Sequence, residues 1–172
     1  MLIQLDSAVI RPFAASDASA IQRHANNRRI WQNVRDIFPH PYTLENAQWF
    51  MGFVAAQNPL TNYAIATDIE AVGCIGLHIG EDVHRKTAEL GYWLGESFWG
   101  RGIMTSAVAA FTDWAFHQFD LQRIYAEPFA NNAGSTRVLE KAGYICEGRL
   151  RANVFKDGAI LDSLIYARCR PV

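Results

Sequence analysis

The stretch Glu89-Leu90-Gly91-Tyr92-Trp93-Leu94-Gly95-Glu96-Ser97-Phe98-Trp99-Gly100-Arg101-Gly102-Ile103-Met104-Thr105 decides how this chain is read. Its first part alternates as a strand. From Met104 onward, apolar residues recur at spacings of three and four through Ala107, Val108, Phe111 and Ala115, so a glycine loop feeds a helix. Such a junction suits an anion, because the first N–H groups of a helix lack intrahelical acceptors and glycine lets a ligand approach the backbone closely. Two nucleotide motifs fail on residue identity. Gly95 and Gly100 are placed as in a phosphate-binding loop, but Arg101 and Gly102 stand where Lys and Ser or Thr are needed. A dinucleotide fingerprint has Thr105 in place of its third glycine, and the surrounding strands read as a meander rather than an early βαβ unit. A cradle of backbone amides for a pyrophosphate-type anion satisfies the pattern.

Outward from this loop, Val9 to Phe13 reads as a strand stopped by Pro12, with Ser16 and Asp17 as N-caps of a helix burying Ala18, Ile21 and Ala25. Periodicity breaks between Ile30 and Tyr42. Thr43 then opens a helix with Ala47, Phe50, Met51 and Val54 inward, and strands follow over 63–67, 72–79 and 87–94. Beyond the long helix come a strand over 123–127, a short helix capped by Asn132 and closed by Gly143, and strands over 144–150 and 160–167 joined at Lys156-Asp157-Gly158.

The 172 residues, half of them apolar, predict one domain over 1–172 with a substantial core. With 16 basic against 17 acidic residues, no charge block advertises nucleic acid, and no apolar run approaches the ~20 residues that span a membrane. Met1 to Asp6 shows no signal-peptide pattern, so the chain is expected to be complete and cytoplasmic. Cys74, Cys146 and Cys169 are expected as reduced, buried thiols, and the five histidines show no metal-ligand spacing, so no metal is expected.

Four blocks in order, Glu89 to Leu94, Trp99 to Thr105, Asn132-Ala133-Gly134-Ser135 and Glu140-Lys141-Ala142-Gly143-Tyr144, resemble the GNAT N-acetyltransferases. Ile10-Arg11-Pro12 and Phe155-Lys156-Asp157-Gly158 look like the branch that includes the Rim-type ribosomal-protein N-terminal acetyltransferases. The resemblance implies an α/β (α+β) GNAT fold, a mixed, mostly antiparallel sheet of about six or seven strands with about four helices, splayed at the acetyl-CoA site. Acetyl-CoA is the implied co-substrate. Its pyrophosphate would lie on Trp99, Gly100, Arg101, Gly102, Ile103, Met104 and Thr105, although Trp99 and Met104 depart from the family's Gln or Arg and Gly or Ala. Backbone N–H groups across Tyr92, Trp93 and Leu94 would face the thioester, and Asn132 and Ser135 would contact the cofactor.

Acetyl transfer needs a neutral amine, a stabilised oxyanion and a protonated leaving sulfur. Glu89 is the candidate base, since a strand carboxylate in apolar company must meet water, a partner or a substrate. Leu139 stands where many relatives carry a tyrosine acid, and Ser135 either donates toward sulfur or caps its helix together with Asn132. Trp31, Phe38, His78 and Phe155 are the candidate acceptor contacts, in a groove expected between the segment 30–42 and the final hairpin. The implied acceptor is a peptide or protein α-amine. A polyamine, aminoglycoside or amino acid, or a non-catalytic CoA-binding module, are the alternatives, and a homodimer is compatible with the apolar last strand.

Overall fold

The computed structural model describes residues 2–171. In chain order these form β1 (Ile3–Gln4), β2 (Val9–Arg11), α1 (Ala18–Ala25), α2 (Arg28–Trp31), α3 (Leu44–Ala55), β3 (Asn62–Ala66), β4 (Ala71–Ile79), β5 (Thr87–Leu94), α4 (Ile103–Gln118), β6 (Arg123–Ala126), α5 (Ala133–Lys141), β7 (Ile145–Lys156) and β8 (Ala159–Cys169). The architecture is mixed α/β with mostly antiparallel pairing, as expected. Its additional elements are small: β1 has two residues and α2 four. The residues gather into two compact units, one made of the chain up to 76 with 92–107, the other of 77–91 with 108 onward.

In the first unit β1, β2, β3 and β4 pair antiparallel in sequence order, with Ile10 opposite Ile65 and Ala64 opposite Cys74. Ile10, Ile21, Ile65, Val72 and Ile75 are fully buried, and α1 lays the expected Ala18, Ile21 and Ala25 against this core. Thr43 and Asn46 cap α3 reciprocally, the Thr43 hydroxyl accepting from the Asn46 N–H at 3.2 Å and the Asn46 carbonyl from the Thr43 N–H at 2.8 Å. At Gly73 a Cβ would stand 2.4 Å from the Trp93 carbonyl oxygen, so only glycine lets β4 approach the end of β5 this closely.

Asp17 is the N-cap residue of α1, as expected, but its side chain makes no capping hydrogen bond to that helix. Its carboxylate is buried and receives both Arg11 Nη atoms at 2.7 and 2.8 Å and the Ala14 N–H at 2.8 Å. Burial alone would raise the pKa of this carboxyl. The hydrogen bonds from Arg11 and Ala14 outweigh it and hold the group below the usual carboxylate range.

In the second unit the strand order is β5-β6-β8-β7, and among the described residues β5 with β6 is the parallel pair. That register runs from Thr87 opposite Arg123 to Glu89 opposite Tyr125, while β5 itself continues to Leu94. Phe111 and Phe116 of α4, Leu121, Ile124 and Leu139 fill the core. The helix α5 ends as the sequence suggested: Gly143 takes φ +84°, its N–H reaches the Glu140 carbonyl at 3.1 Å, and the Tyr144 N–H reaches Leu139 at 3.0 Å, a Schellman closure. Of the three cysteines, Cys74 is buried as expected, whereas Cys146 and Cys169 are exposed because they lie in the outward positions of β7 and β8. No helix among the described residues is long and apolar enough to cross a membrane.

Because Asp17 is held ionised by its partners, its contribution to stability is complete above the ordinary carboxyl pKa and is lost as the pH falls through the lower folded value. Asp17→Asn should therefore cost about 3 kcal/mol at neutral pH. Urea unfolding at pH 7 and again near pH 3 checks this; the difference between the variant and the natural chain should shrink at the lower pH.

Candidate functional site

The loop between β5 and α4 is a constructed feature of the first unit. Gly100 and Gly102 take φ of +75° and +79°, the left-handed region that glycine enters without strain. A Cβ at either position would meet nothing within 4 Å, so the space above the loop is open. Helix α4 starts at Ile103, and its first-turn N–H groups have no acceptor within the helix. The side chains of Ile103 and Met104 are buried, Thr105 is half-buried, and Gly100, Arg101 and Gly102 are exposed. Met104 therefore departs from the small family residue without blocking the loop, since its bulk points into the core. Together these features present backbone donors and the positive end of a helix dipole to an anion.

Trp99 explains its own departure from the family pattern. Its indole N–H donates to the Leu94 carbonyl at 2.7 Å, closing the loop on the end of β5. The Arg29 guanidinium lies 5.3 Å from the Trp99 ring centre and also pairs with Glu96, which accepts a 2.7 Å hydrogen bond from Asn27. His24 packs edge-on to Phe98, and its Nε2–H donates to the Glu70 carboxylate at 2.9 Å. Arg101 lies over Phe98, 5.4 Å from its centre. The turn between α1 and α2 thus clamps the loop through Asn27 and Arg29. Sequence reading missed these residues because no local periodicity joins positions almost seventy apart. A cavity of about 410 Å³ beside the clamp is lined by Arg23, His24, Asn27, Glu96 and Ser97.

Tyr92, Trp93 and Leu94 also belong to this unit, with Leu94 buried. Trp93 meets Phe38 at 5.8 Å, and Phe38 meets the buried Tyr42 at 4.8 Å. Phe38 is therefore packed into the core as well as standing at its edge. Trp31 lies under Arg28 at 5.4 Å and tilts against His40 at 5.7 Å.

The second unit holds Glu89, Asn132, Ser135, His78 and Phe155. Ala88 and Leu90 are buried and Glu89 is half-buried between them, so the carboxylate stands on the less covered face of β5. The Asn132 side chain accepts from the Ser135 N–H at 3.1 Å, which makes Asn132 the N-cap of α5 and places Ser135, half-buried, in its first turn. His78 is exposed at the end of β4, and Phe155 is 69% exposed on the final hairpin. Lys156, next to it in the chain, is buried. Among the described residues no group of three or more His, Cys, Asp or Glu side chains is placed to hold a metal.

Comparison with known proteins agrees with this architecture. Residues 8–145 match the model of the acetyltransferase (GNAT) domain. The probable N-acetyltransferase YjcK of Bacillus subtilis (strain 168) is 41% identical over 106 residues, which cover 62% of this chain and 59% of that protein. The ribosomal-protein-serine acetyltransferase of Escherichia coli (strain K12) is 34% identical over 106 residues, covering 62% and 59%. The matched stretch thus spans little more than half the length of these curated relatives. The structure of Mycobacterium smegmatis RimJ in complex with CoA-disulfide superposes with a TM-score of 0.84 at 26% identity, over 94% of this chain and 81% of that one. With the domain model matched over residues 8–145, well over half of its length, this chain belongs to the GNAT acetyltransferase family.

Proposed function

We propose that the chain, acting as one domain over residues 1–172, is an acetyl-CoA-dependent N-acetyltransferase that delivers the acetyl group directly to a primary amine, and that its acceptor is a protein or peptide α-amine. The observation that carries this reading is the open glycine cradle at Gly100 and Gly102, set against the first turn of α4. It fits a pyrophosphate through backbone donors and needs no side chain at Trp99 or Met104. The acceptor class is supported by the ribosomal-protein acetyltransferase among the relatives.

Acetyl-CoA supplies the thioester carbonyl. Glu89 takes a proton from the amine, directly or through water, because an α-amine with a pKa near ~8 is mostly charged at neutral pH. Backbone N–H groups between Tyr92 and Leu94 carry the negative charge that develops on oxygen, at no cost in reorganisation. The Ser135 hydroxyl donates toward the departing sulfur. Direct transfer is favoured over a covalent acetyl-enzyme, since the sequence carries no nucleophile-and-base signature, and burial pushes the Cys74 thiol up to about 12 and leaves that residue a poor nucleophile.

Mass spectrometry after incubation with acetyl-CoA and peptides bearing free N-termini tests the acceptor class. Acetylated α-amines are expected, and an unmodified library alongside intact acetyl-CoA binding would transfer the assignment to small amines. Gly102→Glu should abolish acetyl-CoA binding measured by calorimetry while the domain stays folded, because the site tolerates a Cβ sterically and the left-handed backbone costs only about 1–2 kcal/mol. Glu89→Gln should lower kcat by about 10²-fold or more with acetyl-CoA binding intact, and Ser135→Ala by a smaller factor, in steady-state assays.

A further inference from the structure

Glu127 is the first residue past β6, and the structure holds it more carefully than a connecting residue requires. Its Oε1 accepts from the Ser163 hydroxyl at 2.7 Å and from the Asn153 amide at 2.7 Å, while Asn153 also donates to Ser163 at 2.9 Å. Ser163 is completely buried. Asn153 reaches this position only because the pairing of β7 with β8 slips between Leu150 and Val154. Within that bulge Ala152 takes φ +51°, and its N–H is tied at 2.8 Å to Asp162, which also pairs with Arg149 at 2.6 Å. A bulge of this kind re-aims a side chain at the expense of regular pairing. Here it delivers the Asn153 amide to one oxygen of Glu127 and leaves the other oxygen outside the described hydrogen bonds.

Two features bear on what this carboxylate can do. Both of its donors are neutral, as is the Tyr166 hydroxyl that donates to Glu140, whereas Asp17, Glu70, Glu96, Asp120, Glu147 and Asp162 each pair with a cation; two neutral donors on one oxygen orient Glu127 without supplying a counter-charge. A half-buried carboxylate in this condition favours a positively charged partner. It also shares a face with Glu89. Ile124 and Ala126 are buried as Ala88 and Leu90 are, so Tyr125 and Glu127 take the same face as Glu89, which stands opposite Tyr125 where the parallel register stops. From strand geometry the two glutamate Cα atoms are about 8 Å apart.

We propose that Glu127 is a specificity-determining residue that binds the ammonium form of the acceptor, with Ser163 and Asn153 as its positioning residues. This rests on the transferase reading and adds to it a preference for acceptors that arrive positively charged. The free oxygen of Glu127 receives an N–H of the ammonium, and Glu89 then removes the proton that makes the amine nucleophilic.

The test measures steady-state kinetics at saturating acetyl-CoA with tetrapeptides beginning with serine or alanine and with spermidine, using desamino analogues of the peptides as competitive inhibitors. Glu127→Gln should raise the acceptor KM tenfold or more, change kcat less than threefold, and leave the KM for acetyl-CoA and the inhibition constants of the uncharged analogues unchanged. Ser163→Ala should raise the acceptor KM by a smaller factor in the same pattern. An unchanged acceptor KM in Glu127→Gln overturns the proposal while turnover by the natural chain upholds the transferase. Equal weakening of charged acceptors and uncharged analogues also overturns it, since that reports a structural role. If the natural chain acetylates none of these amines, the α-amine and polyamine acceptor readings fall and the role of Glu127 falls with them.

Discussion

The turn from β5 into α4 must place two left-handed residues two positions apart, and this backbone constraint organises everything around it. At Gly100 and Gly102 a side chain would find room but not a comfortable φ, so the glycines are fixed by conformation rather than by crowding. A loop with this freedom in the unfolded chain needs ties to hold one shape in the folded one. Trp99 ties it to Leu94 by a hydrogen bond, and Asn27 and Arg29 tie it through Glu96. The cradle is preorganised by these side-chain ties, while the space above Gly100 and Gly102 stays open.

Much of this was readable from local pattern. The loop, the long α4, the capped and Schellman-closed α5 and the hairpin at Asp157-Gly158 all depend on residues within a few positions of one another, where periodicity and turn chemistry act directly. The parts that were not readable have different physical causes. Helix α2 is only four residues long and strand β1 only two, too short to show a period. Asp17 stands at the N-cap position of α1 as expected, but its side chain turns back to Arg11 and to the Ala14 N–H rather than to the helix, because a guanidinium offering two parallel donors suits a buried carboxylate. The exposure of Cys146 and Cys169 depends on which face of a hairpin is covered, which the identity of the residues does not determine.

For the candidate site, the backbone elements were legible and the side-chain supports were not. Trp99 and Met104 looked like losses when set against a family pattern written in side chains. In the folded chain one is a tie and the other a core residue, so a motif whose chemistry resides in amides can change its side chains and keep its geometry. Glu127 had no motif to announce it, and its partners Asn153 and Ser163 come from a bulge that exists only once β7 and β8 have paired.

The near balance of charge sharpens the meaning of those local arrangements. A chain with 16 basic and 17 acidic residues exerts little long-range pull on any partner, so recognition has to come from charges held at short range. Most of the acidic groups described above are taken up by arginine, lysine or histidine and serve to fasten one segment to another. An acidic group held by a hydroxyl and an amide is oriented without a counter-charge, and this combination is what the proposed ammonium contact at Glu127 requires. The bulge in β7, with a left-handed alanine of about 1–2 kcal/mol strain, is understandable as the structural cost of that orientation.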